Sequence, residues 1–121
     1  MPSPLVAIID DDEALCSSLV DLIRSIGYRA EPFASAESFL RSPTSSSSDC
    51  IVADINMLGM SGLMLTRKLR EQNILTPVIL ITALSEKHLD DEAISVGAQR
   101  LFRKPFDANA LLECVERSLS K

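Results

Sequence analysis

Three short apolar runs punctuate this chain, and each leads straight into a residue able to do chemistry. Leu5-Val6-Ala7-Ile8-Ile9 runs into Asp10, Cys50-Ile51-Val52-Ala53 into Asp54, and Val78-Ile79-Leu80-Ile81 into Thr82. Runs this short, without polar alternation, suit strands covered on both faces, because a half-exposed strand would show period two. Tyr28 to Phe33 and Arg100 to Arg103 are weaker strand candidates. Pro32 has no amide to donate and places the first of these at a sheet edge.

Helical patterns fill the gaps. Leu15, Leu19, Leu22 and Ile26 recur on one face of a first helix, with Gly27 as its C-terminal stop. Ser35 caps a short helix from Ala36 to Arg41, and Ser61 one that carries Leu65 and Leu69. Ser85 opens a polar helix with Leu89, Ala93 and Val96, closed by Gly97. Asp107 caps the last helix, with Leu111, Leu112, Val115 and Leu119 inward. The serine-rich stretch from Pro43 to Ser48 reads as a flexible surface loop. Five β-α units in series predict an α/β fold: a five-stranded parallel sheet with helices on both faces. The flavodoxin-like strand order 2-1-3-4-5 is expected over the two-half dinucleotide-binding order, because the chain is short and lacks a glycine fingerprint.

Composition narrows the classes. The 121 residues fit one domain, residues 1–121, large enough to bury a core without disulfides or a structural metal. A formal net charge of -5 argues against direct nucleic-acid binding through a basic face, so any DNA contact would belong to a part outside this sequence. Cys16, Cys50 and Cys114 are far apart and lie in apolar patterns, which predicts buried reduced thiols and a reducing compartment. Neither a signal-peptide pattern nor an apolar run of membrane-spanning length is visible. A cytoplasmic protein with no membrane contact is expected.

The strand ends carry the candidate chemistry. With strands one and three adjacent, Asp10, Asp11 and Asp54 meet at one end of the sheet. Clustered carboxylates repel unless a cation sits among them or some are protonated. A hard divalent ion with oxygen ligands resolves the conflict, and Mg2+ is usual where phosphate is involved. Thr82 and Lys104, at neighbouring strand ends, offer a hydroxyl and an ammonium for phosphoryl oxygens. Asp54 stands alone and is the free nucleophile, while the adjacent Asp10 and Asp11 suit metal holding. Each signal also has a plain structural reading. Asp10 to Asp12 can cap the first helix, Thr82 can be a strand-end hydroxyl, and Lys104 a solvated lysine. His88 reads as a surface residue, and Met57, Met60 and Met64 as packing. Val96 and Leu101 fit either core or a dimer face.

Taken in order, Ile9-Asp10-Asp11-Asp12, Asp54 followed by Met60-Ser61-Gly62, Ile81-Thr82-Ala83 and Lys104-Pro105-Phe106 resemble the response-regulator receiver domain, with its CheY-like fold. The resemblance covers essentially the whole chain and is closest in pattern to FixJ/NarL-type receivers. It implies two-component signal transduction. Asp54 accepts a phosphoryl group from a sensor histidine kinase; Asp11 contacts Mg2+ directly, Asp10 mainly through water, and Asn56 through its backbone carbonyl. Thr82 moves toward the phosphoryl group, Lys104 pairs with it, Ala83 leaves the opening for the donor histidine, and Lys104-Pro105 is cis. As in similar regulators, a homodimer on phosphorylation through helix four, strand five and helix five is expected, and the chain is either a stand-alone regulator or part of a longer protein with a C-terminal output domain. Two positions depart from the family. Leu58 stands where proline is common, which predicts a looser loop, and Leu101 where an aromatic usually turns inward as the threonine moves.

Such a protein is not an enzyme beyond its own phosphorylation and dephosphorylation. A haloacid-dehalogenase-type hydrolase is the rival that also uses an aspartyl phosphate. Here, however, Glu13-Ala14 replaces its Gly-Thr, and the length holds no cap domain. A pseudo-receiver would be expected to lack one of the acids, the threonine or the lysine, and all are present.

Overall fold

Each central strand packs alternate residues into opposite layers. Val6 and Ile8 join one hydrophobic cluster while Ala7 and Ile9 join the other. The same split divides Cys50 and Val52 from Ile51 and Ala53, and Ile79 and Ile81 from Val78 and Leu80. A strand with both faces buried has no use for polar alternation, which explains the unbroken apolar runs.

The computed structural model describes residues 3–119. Its elements are β1 (Leu5–Ile9), α1 (Glu13–Ser25), β2 (Arg29–Phe33), α2 (Ala36–Arg41), β3 (Cys50–Asp54), α3 (Gly62–Glu71), β4 (Val78–Thr82), α4 (His88–Ser95), β5 (Arg100–Arg103) and α5 (Ala108–Leu119), with a short 3-10 turn at Ser45–Ser47. The sheet order is β2-β1-β3-β4-β5, all parallel, as expected. Helices α1 and α5 cover one face, and α2, α3 and α4 the other. β2 is an edge, so Pro32, opposite Ile8, breaks no central ladder.

The capping pattern follows the sequence in most places. Ser35 Oγ accepts from Ser38 N at 3.0 Å, and Ser61 Oγ from Met64 N at 3.1 Å. Asp107 Oδ1 accepts from Asn109 N at 2.9 Å. Several expectations need correction. The buried stripe of α1 is Cys16, Leu19, Val20 and Ile23. Leu15 and Leu22 only flank it, and Ile26 lies beyond the helix at 38% exposure, since the helix axis turns the neighbouring Cys16, Val20 and Ile23 positions inward. Helix α4 starts at His88, not Ser85, and has no side-chain cap; the Glu86 carbonyl is held by Arg103 Nη2 at 2.7 Å. In α5, Cys114 and Ser118 complete the inward face, with Leu112 and Leu119 half-buried. The 43–48 stretch is tied down: Thr44 Oγ1 donates to Glu31 at 2.7 Å, and Ser48 is buried.

The thiols of Cys16, Cys50 and Cys114 are free and buried, and burial pushes Cys50 up to about 12. Among the described residues, no helix is long and apolar enough to cross a membrane. Val96 is buried and Leu101 packs partly buried against the core. Met57 is buried, but Met64 is 58% exposed, so packing does not account for it.

Candidate functional site

All strands point the same way, so their carboxyl ends gather the chemistry on one edge of the sheet. Asp10 follows β1 and is 1% exposed. Its Oδ1 accepts from Asp12 N at 2.9 Å, while its buried Oδ2 has no hydrogen-bond partner among the described residues and faces the Lys104 ammonium at 3.5 Å. Burial pushes the Asp10 carboxyl up, and the Asp54 charge adds to that, against the opposing pull of the Asp12 amide and Lys104. Asp12 does the capping, accepting from Leu15 N at 3.2 Å. The two readings of the acidic triplet thus divide between neighbours: Asp12 serves the helix and Asp10 faces the strand ends.

Asp54 closes β3 with the same local turn: its Oδ1 accepts from Asn56 N at 2.8 Å. Its Oδ2 accepts from Lys104 Nζ at 2.7 Å, and the same ammonium lies 3.5 Å from Asp10 Oδ2. Burial alone pushes the Lys104 ammonium down, but its hydrogen bond and attraction to Asp54, then to Asp10, outweigh this and hold it above its ordinary value. Lys104 N donates to Thr82 O at 2.7 Å, which fixes the lysine against β4, and the Lys104-Pro105 bond is cis. Thr82 is buried; its Oγ1 accepts from Leu84 N at 3.0 Å, and among the described residues its own hydroxyl proton has no acceptor.

Asp11 is exposed, and its Oδ2 accepts from Leu58 N at 3.3 Å. The side chains therefore do not converge fully: among the described residues, no group of three or more His, Cys, Asp or Glu is set to hold a metal ion. The donors that fit a hard cation are Asp10 Oδ2, buried and unsatisfied, the neighbouring carboxylate of Asp54, and the reachable Asp11. That oxygen chemistry suits magnesium. A cavity of about 520 Å³ opens beside Asp10 and Asp11, between α1 and the β2 edge, with Cys16, Val20 and Phe33 in its wall.

Two side chains escaped the sequence reading. Glu37, in the first turn of α2, accepts from Met60 N at 2.9 Å and so grips the loop after Asp54. Arg103 joins β5 to α4 through Asp90, at 3.1 Å, and the Glu86 carbonyl. Both contacts are long-range, and no local spacing announces them. Gly62 is also required by position, since a Cβ there would meet Asp54 O at 2.6 Å. His88 is the surface residue expected, 3.7 Å from Glu92.

A family model described as the response regulator receiver domain matches residues 6–116. The chain belongs to this family. As a receiver domain it is a module of two-component signalling, in a family that generally binds magnesium at its phosphorylation site. Its relatives include the response regulator TodT of Pseudomonas putida, 36% identical over 115 residues covering 95% of this chain and 51% of TodT. The transcriptional regulatory protein FixJ of Azorhizobium caulinodans is 37% identical over 122 residues, covering 100% of this chain and 58% of that protein. The chain thus spans about half the length of the curated relatives it matches. Among solved structures, the BeF3-activated DrrB receiver domain superposes with a TM-score of 0.89 at 27% identity, covering 100% of both chains. FixJ-N superposes with a TM-score of 0.85 at 31% identity, covering 98% of this chain and 95% of that one.

Proposed function

We propose that this receiver takes a phosphoryl group on Asp54 from a sensor histidine kinase and thereby switches its partner contacts. The observation that carries the reading is the ammonium of Lys104, held 2.7 Å from Asp54 and 3.5 Å from Asp10 at the ends of three strands. An Asp54 carboxylate oxygen attacks phosphorus; the new P–O bond forms as the P–N bond to the donor imidazole breaks, and the imidazole keeps the electron pair and picks up a proton. Lys104 then meets phosphoryl oxygens with its charge, and Thr82 donates its free hydroxyl proton to another. The exposed Ala83, with its small side chain, leaves the approach to Asp54 open. Asp10, Asp11, Asp54 and the backbone carbonyl of Asn56 would hold Mg2+, which when bound offsets negative charge on the transferring group.

The single-domain reading, 1–121, goes with an output domain elsewhere in the full regulator, consistent with relatives about twice as long. The face of α4, β5 and α5 is the proposed homodimer surface of the phosphorylated state. A cytoplasmic location fits the free thiols and a phosphodonor kinase. The test is incubation with acetyl phosphate and magnesium, followed by intact mass. Wild type should gain one phosphoryl group and Asp54→Asn none; equal labelling of both would refute the assignment.

A further inference from the structure

The loop joining β3 to α3 is stitched down by donors from its own backbone. Asn56 N bonds Asp54, Leu58 N bonds Asp11, Met60 N bonds Glu37, and Gly62 N bonds the Ile55 carbonyl. At the loop tip the two acceptors are carboxylates from other elements. Side chains give little help there: Leu58 is 86% exposed, and Gly59 has none. Gly59 also lies at φ +80, and a Cβ there would meet Glu37 Oε2 at 2.5 Å. The glycine thus lets the Glu37 carboxylate come close enough to take the next amide.

The two anchors differ in what competes for them. Asp11 is the residue read above as a direct ligand of magnesium, and its bond to Leu58 N is long, at 3.3 Å. An oxygen lone pair turned to a metal is lost to the amide. Glu37 has no such rival. It sits on α2, whose start is fixed by the Ser35 cap, and the Met60 amide holds its carboxyl below the usual range.

We propose that Glu37 is a positioning residue for the magnesium site: it keeps the loop carrying Asn56 in place when Asp11 turns from Leu58 to the metal. The proposal rests on the assignment of Asp11 and Asn56 as ligands. Without Glu37 the loop samples other conformations, and apparent metal affinity falls by the fraction of time the binding geometry is present. Glu37→Ala should then weaken magnesium binding about fivefold by calorimetry. Glu37→Gln, whose amide oxygen still accepts from Met60 N, should stay within about twofold. In metal-free protein, the Met60 amide should exchange about tenfold faster in Glu37→Ala than in wild type, with Glu37→Gln near wild type. Both variants should melt with wild type's cooperativity, since Glu37 is only half-buried at the surface.

Unchanged magnesium affinity and Met60 exchange in Glu37→Ala would overturn the proposal. Equal weakening in both variants would overturn it as well, because charge at a distance, not the bond to Met60, would then be acting. Acetyl phosphate provides a separate arm. A wild type that binds magnesium yet takes no phosphoryl group counts against Asp54 as acceptor, while calorimetry and exchange still decide the role of Glu37.

Discussion

Lys104 Nζ donates to Asp54 Oδ2 over 2.7 Å, across 50 residues of sequence. The bond joins the two strand ends that flank β4, and it keeps two buried carboxylates, Asp54 and Asp10, from facing each other without a cation. Lys104→Met should therefore destabilise the metal-free protein by about 2 kcal/mol, in the range for a charged hydrogen bond. Magnesium should restore much of the loss. Thermal melts in chelator and in millimolar magnesium check this; equal loss in both conditions would contradict it. Because the folded Lys104 value is raised above 10.5, the contribution is fully present below that pH and is lost as pH rises through the folded value.

Asp10 gives the opposite sign. Burial raises its carboxyl, so the folded protein binds a proton there more tightly than the unfolded chain. Charged Asp10 thus costs stability at neutral pH, and the cost fades as pH falls through the raised folded value toward 3.8. Asp10→Asn should melt higher than wild type at neutral pH without magnesium, and the gap should close on acidification. A gap that widens toward acid would contradict the assignment.

Removing Asp11 should weaken magnesium binding more than removing Asp10. A direct ligand loses a metal–oxygen contact, whereas a ligand acting through water can be replaced by solvent. Calorimetric titration of Asp11→Ala and Asp10→Ala decides between them. Equal magnesium affinity in wild type and Asp11→Ala would remove Asp11 from the ligand set.

Phosphoryl lifetime depends on access for an attacking water. With Asp54 as the proposed acceptor, exposed Asn56 would hydrogen-bond that water, whereas half-buried Leu84 would crowd its path. Leu84→Glu should shorten the lifetime a few-fold, on the order of 1 kcal/mol in the barrier. Phosphate release from purified phosphoprotein in excess magnesium measures it; a longer lifetime would show that Leu84 does not shield the site.

Gly62→Ala should cost about 2 kcal/mol by overpacking. Its Cβ would strike the Asp54 carbonyl at 2.6 Å and Leu80 at 3.0 Å, both inside the folded core. Urea unfolding reads the loss, and a midpoint equal to wild type would mean that α3 can shift away freely.

The sheet was legible because its central strands are buried on both faces and so appear as unbroken apolar runs. Parallel strands also put every run's C-terminal residue on one edge, which is why Asp10, Asp54, Thr82 and Lys104 could be gathered from chain order. The division of labour inside Asp10-Asp11-Asp12 was not legible, since it depends on where the chain turns into α1. Glu37 was hidden for another reason: its partner is a backbone amide 23 residues away, and an amide leaves no mark in a sequence. The start of α4 was misread because Ser85 looks like a cap, while Arg103, remote in the chain, holds the carbonyl next to it.

Arg103 and Lys104 are consecutive, yet they are engaged with different partners at the β5 end. The lysine is committed to the acidic cleft, and the guanidinium grips Asp90 and the Glu86 carbonyl at the threshold of α4. Adjacent Cα atoms stand about 3.8 Å apart, so this stretch of backbone has no slack to absorb a pull. A shift of the β5 end is therefore shared by both anchorages, the one in the cleft and the one at the start of α4.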